Sequence, residues 1–456
     1  MAFRFAKYAG EGGVRELLLI ALPMIVSTSC DGAMTLIDRL FMARLGPEQM
    51  NAVMGGGLAM QTMTFFFIGI AGYSTALVAR YFGAGERHNS STTLTQAMLI
   101  VLAAWPIIIA CKPLAEAAFV SMGLSAVQIG YQTQYLDIII YGSILSMLRH
   151  TIGCYFSGIG RTGVVMFATI VAMAVNVILD YALIFGNWGF PAMGIRGAAY
   201  ATTFGWLAST LTLLAVYFAK TNRRAFAVLS SFKFSKHIMG NLLRYGYPAG
   251  VEYFLVFLAS ALITGIFHSK GDVAATASTI MFNWDLVSYI PLIGIEISVT
   301  SLVGRYMGAG RVDTAEQSAF AGIQTGLLYA LFILVLFVFI PKHLANVFAP
   351  KEYSDVFVQA EPIAVLMIRI ASLYLIGQAV MSSIIGVLRG AGDTFFTMVA
   401  SVISNIALLP VLHVSLNMLG LSIVIGWIFV VLGYLVFTFV IVIRFKQGKW
   451  KTITIN

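Results

Sequence analysis

Six carboxylates lie inside stretches of this chain that are otherwise almost wholly apolar: Asp31, Asp38, Asp180, Glu252, Asp285 and Glu296. At bilayer depth a carboxylate costs roughly 2.5–3.5 kcal/mol on insertion scales. Each must therefore face an interior, be paired or carry a proton. Some cap packed helix ends or hold structural waters; others mark an ion or substrate path. Spacing orders part of the set. Asp31 and Asp38 are seven residues apart, on nearly the same helical face, and Asn176 precedes Asp180 by one turn on a shared face. No Ser/His or His/Asp/metal constellation accompanies them, so enzyme chemistry is not expected. His150 and His413 stand alone and read as structural. Cys30, Cys111 and Cys154 are far apart in apolar segments and read as packing groups without disulfides.

The elements that must position these acids follow from composition. Of 456 residues, 59% are hydrophobic and only 10% charged, against roughly 25% charged in a soluble domain. Apolar runs such as 319–340 and 421–443 recur along the whole chain. Each has the ~20 residues a helix needs to cross ~30 Å of hydrocarbon. The ~10-residue alternation of a membrane β-barrel is absent. The expectation is an all-α integral membrane protein of about twelve spans, near 14–40, 51–82, 92–112, 130–156, 162–187, 193–218, 240–267, 274–306, 318–345, 360–388, 396–419 and 421–445. With that count both termini share one side. That side collects most of the basic residues, among them Arg223, Arg224, Lys233, Lys236, Arg444, Lys446, Lys449 and Lys451, whereas the opposite loops hold few, such as Arg44, Lys112, Arg196, Lys270 and Lys342. The positive-inside rule then places both termini in the cytoplasm. The net charge of +9 is read as orientation, not as a nucleic-acid surface.

A repeat divides the chain. Thr75–Glu86 reads TALVARYFGAGE and Thr300–Arg311 reads TSLVGRYMGAGR, an ungapped match that also carries Pro23 onto Pro248 and Gly69 onto Gly294. A second pair is GCYFSGIGRTG from Gly153 and GVLRGAGDT from Gly386. Two pseudo-symmetric six-helix lobes are expected, residues 1–219 and 240–456, joined by a basic cytoplasmic linker at 220–239. Six spans per copy make the repeats parallel, with a central cavity between lobes. Pro23 and Pro248 each remove a backbone donor early in a lobe's first helix, as a packing kink or a hinge.

These motifs resemble the multidrug and toxic compound extrusion (MATE) family of secondary transporters over about Glu16–Lys446. The matching pieces are LIALPMIV, TLIDRLFMARLG, LVARYFGAGE, NVILDYALIFG, RGAAYATT, SLVGRYMGAGR and GVLRGAGDT, in that order. The resemblance implies twelve helices, two lobes and outward transport driven by inward sodium or proton flow. It also implies that Asp38 and Asp180 are the acids which such transporters carry in the first and fifth helices, and that Thr202 is the hydroxyl opening the sixth. With Asn176, they form a set of hard oxygen donors suited to Na+, while two close carboxylates repel and so favour holding a proton. Either ion fits. Asp31 extends a proton path or lines the cavity.

The second lobe departs from one family pattern. Where some members carry a helix-7 glutamate this chain has Val256, with Glu252 one turn earlier, and a helix-10 acid is replaced by Gln378. Asp31, Glu252, Asp285, Glu296 and Gln378 are accordingly cavity or substrate candidates, and coupling is expected in the first lobe. The reading is a monomeric, H+- or Na+-coupled antiporter in the inner membrane, without other cofactor, exporting amphipathic organic cations. The rival is a lipid-linked oligosaccharide flippase of similar architecture, which would favour free cationic residues where this chain has mostly acids.

Overall fold

A computed structural model describes residues 7–121, 124–349 and 355–455, and among these every regular element is a helix. In chain order they are α1 (Val14–Ala43), α2 (Pro47–Gly72), α3 (Ser74–Gly83), α4 (Arg87–Ala110), α5 (Lys112–Ser121), α6 (Ala126–Gly158), α7 (Thr162–Phe185), α8 (Ile195–Phe218), α9 (Lys220–Ala225), α10 (Lys236–His268), α11 (Asp272–Gly308), α12 (Val312–Phe339), α13 (Pro341–Asn346), α14 (Asp355–Ala391), α15 (Thr394–Leu412) and α16 (Ile423–Lys446). The expected run through residue 419 does not stay α-helical. It widens into a π-turn at His413–Met418 just after Pro410, where the missing proline N–H weakens the regular ladder.

Among the described residues, eleven helical spans are long and apolar enough to cross a membrane, with α2 and α3 forming one of them. The 33-residue α6 is long enough to cross but falls outside that group, because Gln128, Gln132, Gln134, Asp137, Arg149 and His150 dilute its apolar character. With α6 the spans number the twelve expected. Side-chain burial is inverted relative to a soluble protein. Leu328, Phe332, Val436 and Phe439 are more than half exposed, while Ser90, Ser91, Thr93, Ser143 and Thr151 are fully buried. Lipid is the solvent for the first group, and small hydroxyl side chains let helices approach closely in the second. Thr93, Ser143 and Thr151 each donate to a carbonyl one turn back, at Asn89, Ile140 and Met147, so these three stay partnered when buried.

The chain forms two compact units. The first comprises Ile20–Val251 with Gly304–Gly310; the second comprises residues up to Leu19, Glu252–Val303 and Arg311–Ile455. In the first unit, Met34, Met42, Tyr135, Leu136, Ile184 and Trp206 share an apolar core that fixes α1, α6, α7 and α8 against one another. The repeated turns also meet here. A Cβ on Gly83 would overlap the carbonyl of Arg305, and one on Gly308 would overlap the carbonyl of Arg80. Gly83 and Gly308 are equivalent residues of the repeat, as are Arg80 and Arg305, so the contact is reciprocal in the manner of a two-fold interface.

The second unit packs α10, α11, α14, α15 and α16 around Phe267, Tyr374, Trp427 and Val431. Trp427 is buried and its Nε1 donates to the carbonyl of Met367 at 2.9 Å. Gly386 on α14 lies directly over the carbonyl of Glu296 on α11, an approach that a side chain would block. Near the aqueous edge, Arg444 grips Asp393 with two hydrogen bonds of 2.7 and 3.1 Å. Arg311 pairs with Glu11 at 2.5 Å and holds that exposed carboxyl below the usual range.

Candidate functional site

In the first unit, α1, α7 and α8 bring Asp38, Asn176, Asp180 and Thr202 together. Asn176 and Asp180 are one turn apart on α7 and fully buried; Asp38 and Thr202 are 6% and 5% exposed. Asp38 lies beside Asp180, Asn176 and Thr202. Thr202 Oγ1 is 3.2 Å from Asp38 Oδ2 and 2.9 Å from the carbonyl of Ala198. Its single proton serves one acceptor at a time, so toward Asp38 it donates to a carboxylate or accepts from a carboxyl. Against this background five buried side-chain atoms have no hydrogen-bond partner: Asp38 Oδ1, Asp180 Oδ1 and Oδ2, and Asn176 Oδ1 and Nδ2. Buried polar atoms are nearly always paired, and two adjacent carboxylates out of water are especially costly. Four of the five are oxygens, which suits a small hard cation or protons.

A residue missed from the sequence belongs to this set. Tyr135 on α6 is 5% exposed and lies beside Asp38, Asp180 and Thr202. Its phenol adds a polar tip to a site that is otherwise two carboxylates, one amide and one hydroxyl. An aromatic inside an apolar span carries no signal of its own, although Gln132 one turn earlier marks the same face of α6 as polar.

The remaining candidates are held elsewhere. Asp31 does not stand free on the Asp38 face: Arg149 on α6 binds it at 3.0 Å, with the two side chains 38% and 18% exposed. His150 contacts Cys154 at 3.5 Å on the same helix. In the second unit Arg389, one residue past the span expected at 360–388 and so an apparent loop cation, turns inward. It bridges Glu252 on α10 at 3.2 Å and Glu296 on α11 through a shorter contact, with its guanidinium 5.1 Å from the centre of the Tyr253 ring. Separately, Asp285 on α11 accepts from the hydroxyl of Tyr374 and lies beside Gln378, whose Oε1 is buried without a partner. The six intramembrane acids thus form three clusters and one ion pair. The repeat does not duplicate Asp38: the 225-residue offset carries it onto Ile263.

A bundle of long apolar helices that buries such clusters defines an integral membrane transporter, and comparison with known proteins gives the family. The MatE family model matches residues 23–182 and 248–419. The chain belongs to the MatE family; it is a transporter and not an enzyme. A probable multidrug resistance protein NorM from Thermotoga maritima is 27% identical over 442 residues, covering 96% of this chain and 93% of that protein. The multidrug resistance protein PmpM from Pseudomonas aeruginosa is 27% identical over 388 residues, covering 85% and 80%. Among solved structures, a MOP superfamily transporter from Pyrococcus furiosus, described as having a binding pocket of reversed polarity, matches with a TM-score of 0.88 at 19% identity over 97% of this chain and 98% of that chain. An outward-facing multidrug resistance MATE transporter of the same superfamily matches at 0.87, with the same identity and coverage. At that identity the structures establish the fold alone.

Proposed function

We propose that this protein exports amphipathic organic cations in exchange for an inward-moving H+ or Na+ bound by Asp38, Asn176, Asp180 and Thr202. The observation that carries the reading is the group of five unpartnered buried polar atoms around two adjacent carboxylates. A proton or sodium ion would neutralise that site; its departure would restore the repulsion and favour a different arrangement of the helices that hold it. The curated relatives named for multidrug resistance support efflux of varied compounds. Both termini would face the cytoplasm of a bacterial inner membrane, on the basis of the lysine and arginine bias, and the working unit would be a monomer. A flippase for pyrophosphate-linked cargo would need free cations inside the bundle, whereas Arg149 and Arg389 are engaged by acids and the side chain of Arg369 is exposed on α14.

Efflux of a fluorescent organic cation from reconstituted vesicles tests this, with the sodium and pH gradients imposed separately. Transport should follow one gradient and be lost in Asp38→Asn. Equal transport without either gradient would overturn the coupling.

A further inference from the structure

The Glu252–Arg389–Glu296 cluster is a second ionisable site in the same chain, and its hydrogen bonds identify its ligand. All three side chains are well buried, at 6%, 16% and 9% exposed. Two carboxylates and one guanidinium leave one negative charge without a partner. Among the described residues Tyr253 and Tyr289 also face the cluster, and a phenol carries no positive charge that could cancel it. An uncompensated charge in this setting is strongly unfavourable.

Every carboxyl oxygen is accounted for. Oε1 of each glutamate faces Arg389. Oε2 of Glu296 is 3.3 Å from the hydroxyl of Ser382, and Oε2 of Glu252 is 3.3 Å from that of Thr397. Each hydroxyl also has a nearer backbone acceptor: Ser382 donates to Leu292 O at 3.0 Å and Thr397 to Thr394 O at 2.9 Å. A hydroxyl has one proton. Once it is given to the backbone, the oxygen turned toward Oε2 is an acceptor, which suits a carboxyl O–H and not a bare carboxylate. The guanidinium already occupies the inner oxygens where a metal ion would bind, and the outer ones face single hydroxyls. We infer that this triad binds one proton, carried on Oε2 of either Glu252 or Glu296, with Arg389 as a fixed internal cation that keeps metal ions out. The repeat does not duplicate it. The positions equivalent to Glu252 and Glu296 in the first half are Ser27 and Ala71.

Infrared absorption of protonated carboxyl groups, measured on the full chain in lipid vesicles near neutral pH, tests this independently of the Asp38 site. Glu252→Gln and Glu296→Gln keep side-chain volume and leave the remaining glutamate matched to Arg389. Each single variant should lose one carboxyl's worth of the band, and the double variant should lose no more, because the triad holds one proton. Sodium should leave the wild-type band unchanged. Either folded single variant suffices for the first reading. An undiminished band in it, a double loss in the double variant, or removal of the band by sodium would overturn the assignment. The Asp38→Asn difference spectrum reports the first-unit pair separately, so failure at one site is not read as failure at the other.

Discussion

Thr202 and Asp38, 164 residues apart in sequence, meet at 3.2 Å, while the same hydroxyl lies 2.9 Å from the carbonyl of Ala198. The threonine can therefore follow a change of charge on the aspartate by turning its proton, without moving its helix. Thr202→Val removes that response and a hydrogen bond to a charged group, an interaction of about 1.5–3 kcal/mol. Coupled efflux should fall by at least about tenfold, the factor equivalent to ~1.4 kcal/mol. Thr202→Ser should restore most of it in the vesicle assay.

Asp38→Asn and Asp180→Asn should each abolish coupled efflux while the protein still inserts and remains monodisperse, because removing a charge lowers the cost of burial. The double variant should be no worse than either single, since the residues act as one site. Full efflux by Asp38→Asn under either gradient would refute the assignment.

Discrimination between the ions follows from the same site. With sodium as coupling ion, substrate release at fixed pH should rise with sodium and be competed by lithium. With protons, release should follow acidification in sodium-free buffer and be absent from Asp180→Asn. Tyr135→Phe keeps the ring against the core and removes only the hydroxyl, so it should weaken ion binding without lowering the melting temperature.

Arg149→Gln leaves Asp31 without its partner at a partly solvated position. The expected loss of stability is about 1 kcal/mol, the upper end for exposed pairs, seen as a lower melting temperature in detergent. Adding Asp31→Asn should recover most of the loss. If the double variant is as unstable as the single, the pair does not act through charge.

Gly83→Val and Gly308→Val force a side chain into a backbone carbonyl and should each cost about 1–3 kcal/mol by overpacking. Their neighbours Gly85 and Gly310 have open space around them but φ of +82° and +71°. Alanine there should cost only the roughly 1–2 kcal/mol of a left-handed residue. Equal melting curves for Gly83→Val and wild type would show that the close approach is not maintained in the membrane.

The sequence by itself determined the solvent and the architecture. Twenty-residue apolar runs admit only membrane helices, and the 225-residue offset of the GAG turns reveals the duplication before any contact is known. It also placed Asn176 beneath Asp180, because helical periodicity puts residues four apart on one face. The grouping of Asp38 with Asp180 and Thr202 came from an ordered set of motifs rather than from spacing. Periodicity states which residues share a face, but not which faces meet. That is why Arg149 finding Asp31, Arg389 turning from an apparent loop cation into the bridge between Glu252 and Glu296, and Tyr135 joining the Asp38 site were decided only in the tertiary structure. Each depends on helix approach distances set by small residues such as Gly386 over the Glu296 carbonyl. Charge partners in a low-dielectric interior are chosen by ångströms of separation, and no linear spacing encodes those.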